Sequence, residues 1–420
     1  MKASISKSNI EGTIAAPSSK SYTIRGLMCS ALAKGKSQLL NPLGSDDTTA
    51  AINVLRKVGI SIRRNKNTWT INGGNFVASE SDLHCGDSAA TLRFMTALCA
   101  AIPGTHRLTA GTSLSKRPIK PLIDALHQLD VKCSANGDLP PVIVEGGKLK
   151  GGITSLPGNI SSQFVSALLQ VAPLAEKSLT IRLTTPLESR PYVLMTMDTM
   201  QWFGITVASH MTLDEFEVFP QKYDPTKYRI EGDWSSASYL LSLGAIAGRV
   251  EVTNLPIETM QGDRMLLNFL EEMGANVKSS KNSVTVSHGK LRRINADLTD
   301  CIDLLPTVAV LAAVAEGTSR FMGIARARIK ESDRVAAVRE GLTRMGIKVT
   351  EGKDYMTITG GKLQGNVIDS RNDHRIAMAF SLLGTVVGST TIQQAECVTK
   401  TYPEFWDVLC GLGGKVKLYG

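Results

Sequence analysis

Three basic side chains and a glutamate lie within seven residues, Arg328 to Arg334, at the start of a predicted helix. An apolar segment precedes them, and the apolar spacing from Val335 to Met345 predicts the helix that follows. A helix start offers free backbone N–H groups and the positive end of the helix dipole, both of which favour anions. We therefore expect an acidic small molecule to bind here, with Glu331 able to transfer a proton. The same residues also fit a solvated helix start with Ser332 as N-cap and with paired charges.

Similar groups of small, basic and hydroxyl residues stand at other predicted helix starts. Lys20 and Ser21 resemble half of a phosphate-binding loop, but the GxxxxGK[ST] pattern is absent, so no nucleotide site is predicted. Each group alone could be an ordinary capped helix start with surface cations. Because the groups recur at equivalent positions of a repeat, we expect them to converge on one ligand site. Besides Lys20 and Ser21, the groups at predicted helix starts are Gly86 to Arg93, Lys116 to Ile119, Ser161 to Gln163, Asp303 in an apolar run, Asn372 to Arg375 and Thr399 to Pro403.

The elements that must position these residues form a repeat of six units. Each unit has an apolar helix, a strand, a polar loop and a second helix, which ends in a hydrophobic residue and usually a glycine before another strand. Glycine suits the first position after a helix because φ is positive there. The exits lie 67 to 74 residues apart, too long a period for the familiar solenoid repeats. They begin at Val58, Leu129, Phe203, Met273, Met345 and Leu412.

The first helix of each unit is apolar on every side, as in Phe164 to Ala175 and Tyr239 to Ala247. Helices of this kind must be buried. Six units with internal helices predict an α/β (α+β) fold of two three-unit domains, each with helices inside and sheets outside.

The length also indicates two domains, because 420 residues exceed what one hydrophobic core usually supports. The chain would cross between the domains before Ser19 and near Asp224 to Arg229. The sequence thus predicts a discontinuous domain of residues 1–14 plus 231–420 and a second domain of residues 15–230. We expect the ligand site in the cleft, where functional sites are common.

The composition narrows the class of ligand and the compartment. A net charge of +9 favours acidic ligands, whereas the lack of any run of four basic residues and an aromatic content of 5% disfavour nucleic acid. Seven cysteines without a CxxC pair predict free thiols in a reducing cytosol, most of them packed as small hydrophobic groups. Met1 to Lys7 lack the apolar core of a secretory signal, and the uncharged runs are too short to span a bilayer. We expect a cytosolic protein that binds neither membrane nor nucleic acid.

These stretches together resemble the 5-enolpyruvylshikimate-3-phosphate synthase family of enolpyruvyl transferases. The resemblance covers nearly the whole chain in the family's order. It implies a two-domain inside-out α/β barrel with six βαβαββ-type repeats, three per domain, joined by a two-stranded hinge. The matching stretches are residues 17–25, 86–93, 116–121, 161–175, 189–192, 231–239, 328–334, 371–378 and 397–404.

The resemblance also implies a reaction. The enolpyruvyl group of phosphoenolpyruvate would be transferred to the 5-hydroxyl of shikimate 3-phosphate, with release of phosphate, on the route to chorismate and the aromatic amino acids. No metal or organic cofactor is implied, and closure of two domains around the substrates suits a monomer. Both substrates are polyanions, which arginine binds in a bidentate manner and lysine binds as a compact charge.

Residue roles follow from the resemblance by position. Asp303 would accept the proton of the 5-hydroxyl, and Glu331, assisted by Lys20 or Lys400, would protonate the methylene carbon. Whether Glu331 or a lysine is the actual donor stays open. The implied shikimate 3-phosphate site is Lys20, Ser21, Arg25, Ser161, Ser162, Gln163, Ser189, Asp303 and Lys330. The implied phosphoenolpyruvate site is Lys20, Asp87, Arg117, Gln163, Arg334, Arg375 and Lys400.

Three positions depart from the family pattern. Asp87 stands where asparagine is usual, which places a negative charge near the expected phosphoenolpyruvate site. Arg326 stands where some members have asparagine and is left outside the predicted site. Ala89 replaces a common glycine, and its methyl group predicts a narrower pocket that binds the longer analogue glyphosate more weakly.

Two other functions compete with this one. The related UDP-N-acetylglucosamine enolpyruvyl transferases typically have Lys-Asn where this chain has Lys20-Ser21, and a loop cysteine where Gly111 to Arg117 has none. A non-catalytic phosphometabolite-binding protein would be expected to lack Asp303 or Glu331, and both are present.

Overall fold

The computed structural model describes every residue from Met1 to Gly420. The chain forms two compact units, which we call unit 1 (Met1–Pro17 and Glu231–Gly420) and unit 2 (Ser18–Ile230). The first division falls after Pro17 rather than after residue 14, because backbone pairing within unit 1 continues that far. The amide of Ala16 donates to the carbonyl of Thr253 at 2.9 Å. The amide of Asp233 donates to the carbonyl of Pro17 at 2.8 Å.

Twelve α-helices alternate between two kinds along the chain. The odd-numbered helices are buried on nearly all faces and form the interiors of the units, as their all-round apolar sequences predict. One predicted bound needs correction: the helix expected over 164–175 ends at Val171, after which Pro173 lies in a 3-10 turn, Ala172–Leu174. The helices are α1 (Lys20–Leu32), α2 (Asp46–Lys57), α3 (Ala89–Ala101), α4 (Lys120–His127), α5 (Ser162–Val171), α6 (Arg190–Trp202), α7 (Trp234–Ala247), α8 (Leu266–Met273), α9 (Leu305–Val314), α10 (Arg334–Arg344), α11 (His374–Val387) and α12 (Phe405–Gly411).

Six four-stranded sheets of one topology surround these helices, three in each unit. Each sheet has one parallel pair followed by two antiparallel pairings, and its strands alternate buried and exposed positions. The strands of unit 2 are β3 (Gly35–Leu40), β4 (Ser61–Arg64), β5 (Thr68–Gly73), β6 (Leu83–His84), β7 (Gly104–Thr109), β8 (Lys132–Asn136), β9 (Leu139–Gly146), β10 (Gly152–Leu156), β11 (Leu179–Leu183), β12 (Ala208–Ser209), β13 (Glu215–Val218) and β14 (Lys227–Arg229).

Unit 1 takes its first two strands from the start of the chain. Strand β1 is an interior strand of the sheet β22-β23-β1-β24, and β2 is an edge strand of β16-β17-β15-β2. The strands of unit 1 are β1 (Lys2–Ser6), β2 (Ile10–Ala15), β15 (Gly248–Thr253), β16 (Asn276–Ser279), β17 (Ser283–Ser287), β18 (Asn295–Asp297), β19 (Thr318–Met322), β20 (Lys348–Glu351), β21 (Tyr355–Thr359), β22 (Val367–Asp369), β23 (Thr390–Gln393) and β24 (Lys415–Tyr419).

The six helix exits confirm the expected backbone conformation. Five glycines there, Gly59, Gly204, Gly274, Gly346 and Gly413, have φ between +83° and +96°. The exit without glycine has Asp130 at φ +60°, a conformation that aspartate tolerates better than most residues. The repeat therefore conserves the turn geometry even where the glycine is missing.

Each unit has its own hydrophobic core. All seven cysteines are free thiols, five of them buried, which confirms that most pack as small hydrophobic groups. Burial raises the pKa of the Cys85 thiol to about 12. None of the helices combines the length and the hydropathy needed to cross a bilayer.

Candidate active site

Six predicted site residues come together in unit 1, at the openings of its buried helices. A 3-10 turn, Ile302–Leu304, opens α9, and a second, Ala395–Lys400, precedes α12. The six are Asp303 in the first turn, Lys330 and Glu331 in the loop before α10, Arg334 at the start of α10, Arg375 in the first turn of α11, and Lys400 at the end of the second turn.

Arg334 is the centre of this group. Its side chain is 1% exposed, and its Nη1 lies 2.7 Å from Asp303 Oδ1. Its Nη2 lies 2.6 Å from Glu331 Oε2, and its Nε lies 2.8 Å from Asp373 Oδ2. Burial alone would lower the pKa of Arg334, but these three carboxylates raise it above its ordinary value. The planar guanidinium thus stays charged and fixes three acids in one place.

Asp303 is the carboxylate on which the cations converge. Besides Arg334, Lys330 Nζ lies 3.3 Å from its Oδ1 and Arg375 Nη2 lies 3.3 Å from its Oδ2. Burial would raise the pKa of Asp303, but Arg375, Lys330 and Arg334 together hold it well below its usual range. Asp303 is therefore ionised at neutral pH, which is the state a proton acceptor needs.

Lys330 and Lys400 flank the second acid, Glu331. Burial lowers the pKa of Lys330 to about 8, Arg334 and Arg326 act in the same direction, and Asp303 opposes them. Lys400 Nζ lies 3.7 Å from Glu331 Oε1, so the two oxygens of this carboxylate face different cations. Arg326, which was left outside the predicted site, is buried and thus contributes to its electrostatics.

Asp373 is a site residue that the sequence analysis quoted but did not select. It is fully buried, and its side chain caps α11 by accepting from the amide of Arg375 at 3.0 Å. It also accepts from Ser332 Oγ at 3.0 Å. The sequence suggested Ser332 as the N-cap of α10, but Asp333 is the cap and accepts from the Ala336 amide at 2.9 Å. Ser332 thus supports Asp373 instead of the helix start.

A further acid, Asp263, was missed entirely. It lies in the 3-10 turn Gly262–Met265, is 3% exposed, and accepts a short hydrogen bond from Ser235 Oγ. Burial raises its pKa to about 7; Arg375 opposes this shift and Asp303 adds to it. The sequence carries no signal for this acid, because Gln261-Gly262-Asp263 looks like an ordinary polar turn. Its proximity to Arg375 and Asp303 in the folded chain is what identifies it as a site residue.

In unit 2, Arg93 holds two predicted site residues together. Its Nη1 donates to Ser161 Oγ at 2.9 Å and to Gln163 Oε1 at 2.8 Å, at the start of α5. Its guanidinium also packs over the ring of Phe164, with 4.7 Å between Cζ and the ring centroid. Ser162, the first residue of α5, is buried beside these groups. The sequence analysis did not select Arg93, since its partners lie about 70 residues away in the chain.

The predicted residues Asp87 and Arg117 lie where the residues before α3 contact the loop after β7. Asp87 Oδ1 accepts from the amides of Ser113 and Leu114 at 3.0 and 2.9 Å. These amides open a 3-10 turn, Leu114–Lys116, which Arg117 terminates. Arg117 is buried, with 8% exposure.

The remaining predicted residues of unit 2 lie at the starts of α1 and α6. Lys20 Nζ lies 2.9 Å from Asp47 Oδ2, and this buried acid at the start of α2 was not predicted. Arg25 donates to Thr196 Oγ1 at 2.8 Å and to the carbonyl oxygens of Ser21 and Tyr192, and burial lowers its pKa to about 10. The last residue, Ser189, is buried at the N-cap of α6 with φ +55°.

The two groups share one chemistry. Both place arginine and lysine beside carboxylates and hydroxyls at helix starts, where backbone N–H groups add to the positive potential. No set of three or more His, Cys, Asp or Glu side chains is arranged to hold a metal ion. Such groups suit recognition of phosphate and carboxylate together with proton transfer at a carboxylate.

Solved structures with the same fold define the class of protein. An EPSP synthase structure from Acinetobacter baumannii superimposes with a TM-score of 0.84 and 27% identity, covering 99% of this chain and 100% of that chain. The enolpyruvyl transferase NikO from Streptomyces tendae superimposes with a TM-score of 0.80 and 16% identity, covering 99% and 98%, which is evidence for the fold alone. The chain therefore has the two-unit α/β fold of an EPSP synthase.

Sequence comparisons specify the family within this class. A sequence profile of EPSP synthase (3-phosphoshikimate 1-carboxyvinyltransferase) matches residues 5–409. A 3-phosphoshikimate 1-carboxyvinyltransferase of Dehalococcoides mccartyi is 50% identical over 418 residues, 99% of both chains. The 3-phosphoshikimate 1-carboxyvinyltransferase of Methanosarcina acetivorans is 42% identical over 428 aligned residues, again 99% of both chains. The chain belongs to the EPSP synthase family.

Proposed function

We propose that the chain transfers the enolpyruvyl group of phosphoenolpyruvate to the 5-hydroxyl of shikimate 3-phosphate, releasing phosphate in the shikimate pathway. The observation that carries this proposal is the position of the Asp303 carboxylate, which lies 2.7 to 3.3 Å from Lys330, Arg334 and Arg375 in unit 1. A base set among cations can both bind a polyanion and deprotonate its hydroxyl.

Substrate binding would change the strength of this base. The cations around Asp303 are paired with protein carboxylates, and they hold its pKa low. A phosphate or carboxylate that binds Lys330 or Arg375 takes up part of their charge, so the pKa of Asp303 rises toward a value suited to proton transfer. The site thus becomes a better base when an acidic substrate is present.

The proposed reaction proceeds by addition and elimination. Asp303 takes the hydroxyl proton as the oxygen attacks the central carbon of phosphoenolpyruvate, while Glu331, assisted by Lys20 or Lys400, gives a proton to the methylene carbon. The resulting tetrahedral intermediate gives a proton of its new methyl group back to the group that donated it and expels phosphate, which takes up the proton held by Asp303, so the carbon–carbon double bond is restored. The cations stabilise the negative charge on the departing phosphate.

We assign substrate binding to two sets of residues. Lys20, Ser21, Arg25, Ser161, Ser162, Gln163, Ser189, Asp303 and Lys330 would bind shikimate 3-phosphate. Lys20, Asp87, Arg117, Gln163, Arg334, Arg375 and Lys400 would bind phosphoenolpyruvate. We further propose a cytoplasmic monomer; the free thiols suit a reducing compartment, and sedimentation would measure the oligomeric state.

The test is phosphate release from phosphoenolpyruvate with shikimate 3-phosphate, and in parallel with UDP-N-acetylglucosamine. We expect release with shikimate 3-phosphate alone and its loss, by at least about a hundredfold, in Asp303→Ala. The exposed Asp407→Ala serves as the control for loss of an acid from unit 1. Phosphate release with UDP-N-acetylglucosamine instead would refute the assignment of the acceptor. Binding of the substrates without phosphate release with either acceptor would favour the non-catalytic function.

A further inference from the structure

Asp87 makes a contact that its expected role as a phosphoenolpyruvate ligand does not explain. The first amides of a 3-10 turn have no partner inside the turn. Asp87 Oδ1 accepts from two of them, the amides of Ser113 at 3.0 Å and Leu114 at 2.9 Å. The carboxylate therefore caps the turn Leu114–Lys116 from a different part of the chain.

The two segments approach each other too closely for a side chain between them. A Cβ atom on Gly111 would lie 2.7 Å from Asp87 Oδ1 and 3.1 Å from Oδ2. The amide of Gly111 also donates to the carbonyl of Gly86 at 2.7 Å. One backbone hydrogen bond and two cap hydrogen bonds thus attach the loop to the residues before α3.

The backbone of Arg117 is fixed on both sides by these contacts. On one side its amide donates to the carbonyl of Leu114 at 3.0 Å, across the turn that Asp87 caps. On the other side the carbonyl of Pro118 accepts from Arg93 Nη2 at 3.2 Å, and the same guanidinium holds Ser161 and Gln163. The turn cap is therefore one end of a hydrogen-bonded frame that includes several predicted substrate residues.

We propose that Asp87 is a positioning residue, whose carboxylate caps the turn Leu114–Lys116 and so fixes Arg117 for binding the acidic donor substrate. Because a single oxygen accepts both amides, an asparagine side chain can make the same cap. The departure from asparagine at this position is thus compatible with donor binding. This inference rests on the proposed function and adds a role to it.

The experiment compares Asp87→Asn with Asp87→Ala in the full chain. We expect Asp87→Asn to keep the KM for phosphoenolpyruvate within about twofold, and Asp87→Ala to raise it about tenfold, the size of effect that loss of a cap produces. The KM for shikimate 3-phosphate should change little in either. Gly111→Ala should reproduce Asp87→Ala, because its methyl group displaces the carboxylate. The exposed Asp138→Ala, in the loop that follows β8, is the matched control.

A second measurement does not depend on turnover. Amide hydrogen exchange in the peptide spanning residues 111–117 should be faster in Asp87→Ala and unchanged in Asp87→Asn. Equal damage by both substitutions, or an unchanged KM in Asp87→Ala, would overturn the proposal, as would unchanged exchange in Asp87→Ala. If the wild-type chain shows no turnover with these substrates, the proposed function fails, and the exchange data still decide whether Asp87 caps the turn.

Discussion

Asp263 differs from Asp303 because its folded environment raises its pKa and favours the protonated form. Burial raises its pKa from an ordinary 3.8 to about 7, with Asp303 and Asp233 acting in the same direction and Arg375 and Ser235 against it. The folded chain therefore holds a proton that the unfolded chain releases above pH 4. The stability from this proton is full below the unfolded pKa and is lost as the pH rises through the folded pKa.

The substitution Asp263→Asn tests this directly, because the amide cannot ionise. We expect the free energy of unfolding of the variant, relative to wild type, to rise by about 1 to a few kcal/mol between pH 4 and pH 8. Denaturant titrations of both proteins at several pH values measure the difference, and the same substitution at the exposed Asp407 is the matched control. A difference that stays constant with pH would mean that Asp263 is ionised throughout.

Ala89 is the departure from the family pattern that we expect to affect inhibition by glyphosate. It is the first residue of α3 and is 6% exposed, so its methyl group packs into its surroundings. We predict that Ala89→Gly strengthens inhibition by glyphosate about tenfold, because one methyl group in a tight pocket typically discriminates by that amount or more. Inhibition constants measured against phosphoenolpyruvate test this, and an unchanged constant would contradict it.

For individual residues, the sequence was enough to select side chains with recognisable chemistry, but it did not predict the acids that pair with them. Asp303, Glu331 and Arg334 were selected, and the structure places them in contact. The acids Asp47 and Asp373 were not selected, although they pair with Lys20 and Arg334 from about 27 and 39 positions away in the chain. Such pairings depend on how repeats pack, which residue types and spacing do not reveal.

Among the elements, α10 and α11 carry Arg334 and Arg375 and approach each other at Gly341. A Cβ atom at Gly341 would lie 2.3 Å from Cζ of Phe380, which is fully buried in α11. The glycine is thus required by helix packing rather than by backbone conformation.

We predict that Gly341→Ala destabilises the chain by about 1–3 kcal/mol, the usual effect of overpacking, although alanine favours helix by about 1 kcal/mol. The control is Gly411→Ala at the exposed end of α12, where no atom lies within 4 Å of the added Cβ. There the helix preference acts alone, so stability should stay equal or increase. Thermal unfolding of both variants distinguishes the two effects, and equal stability of the two would refute the packing argument.

The repeat made the elements the most predictable level of the structure. Six buried helices follow from all-round apolar runs. The exits of the six helices that alternate with them follow from glycines such as Gly59 and Gly346, whose φ values are positive as expected. The end of α5 was less predictable, because the apolar pattern continues past Val171 into a turn of another kind. Local hydrogen bonding, which hydrophobic spacing does not encode, decides such bounds.

For the whole molecule, residues 1–17 have an importance that their position in the sequence hides. Strand β1 pairs on one side with β23 and on the other with β24, and β2 pairs in parallel with β15. Removing them would leave one sheet of unit 1 without an interior strand. It would also leave cavities in the hydrophobic core where Ala3, Ile5 and Ile10 pack. Unit 2, by contrast, contains its whole core within one continuous segment.

We therefore predict that residues 231–420 alone do not fold, whereas the same residues followed by a short Gly/Ser linker and residues 1–17 do. The linker is feasible because Lys2 pairs directly with Tyr419 in antiparallel strands, which lie about 4.8 Å apart. Cooperative thermal unfolding and dispersed amide NMR signals would identify the folded fragment. The matched control keeps the linker but replaces Ala3 and Ile5 by aspartate, and it should stay unfolded because buried, unpaired charge is costly. Cooperative unfolding of residues 231–420 without the segment would show that β1 is dispensable for the core of unit 1.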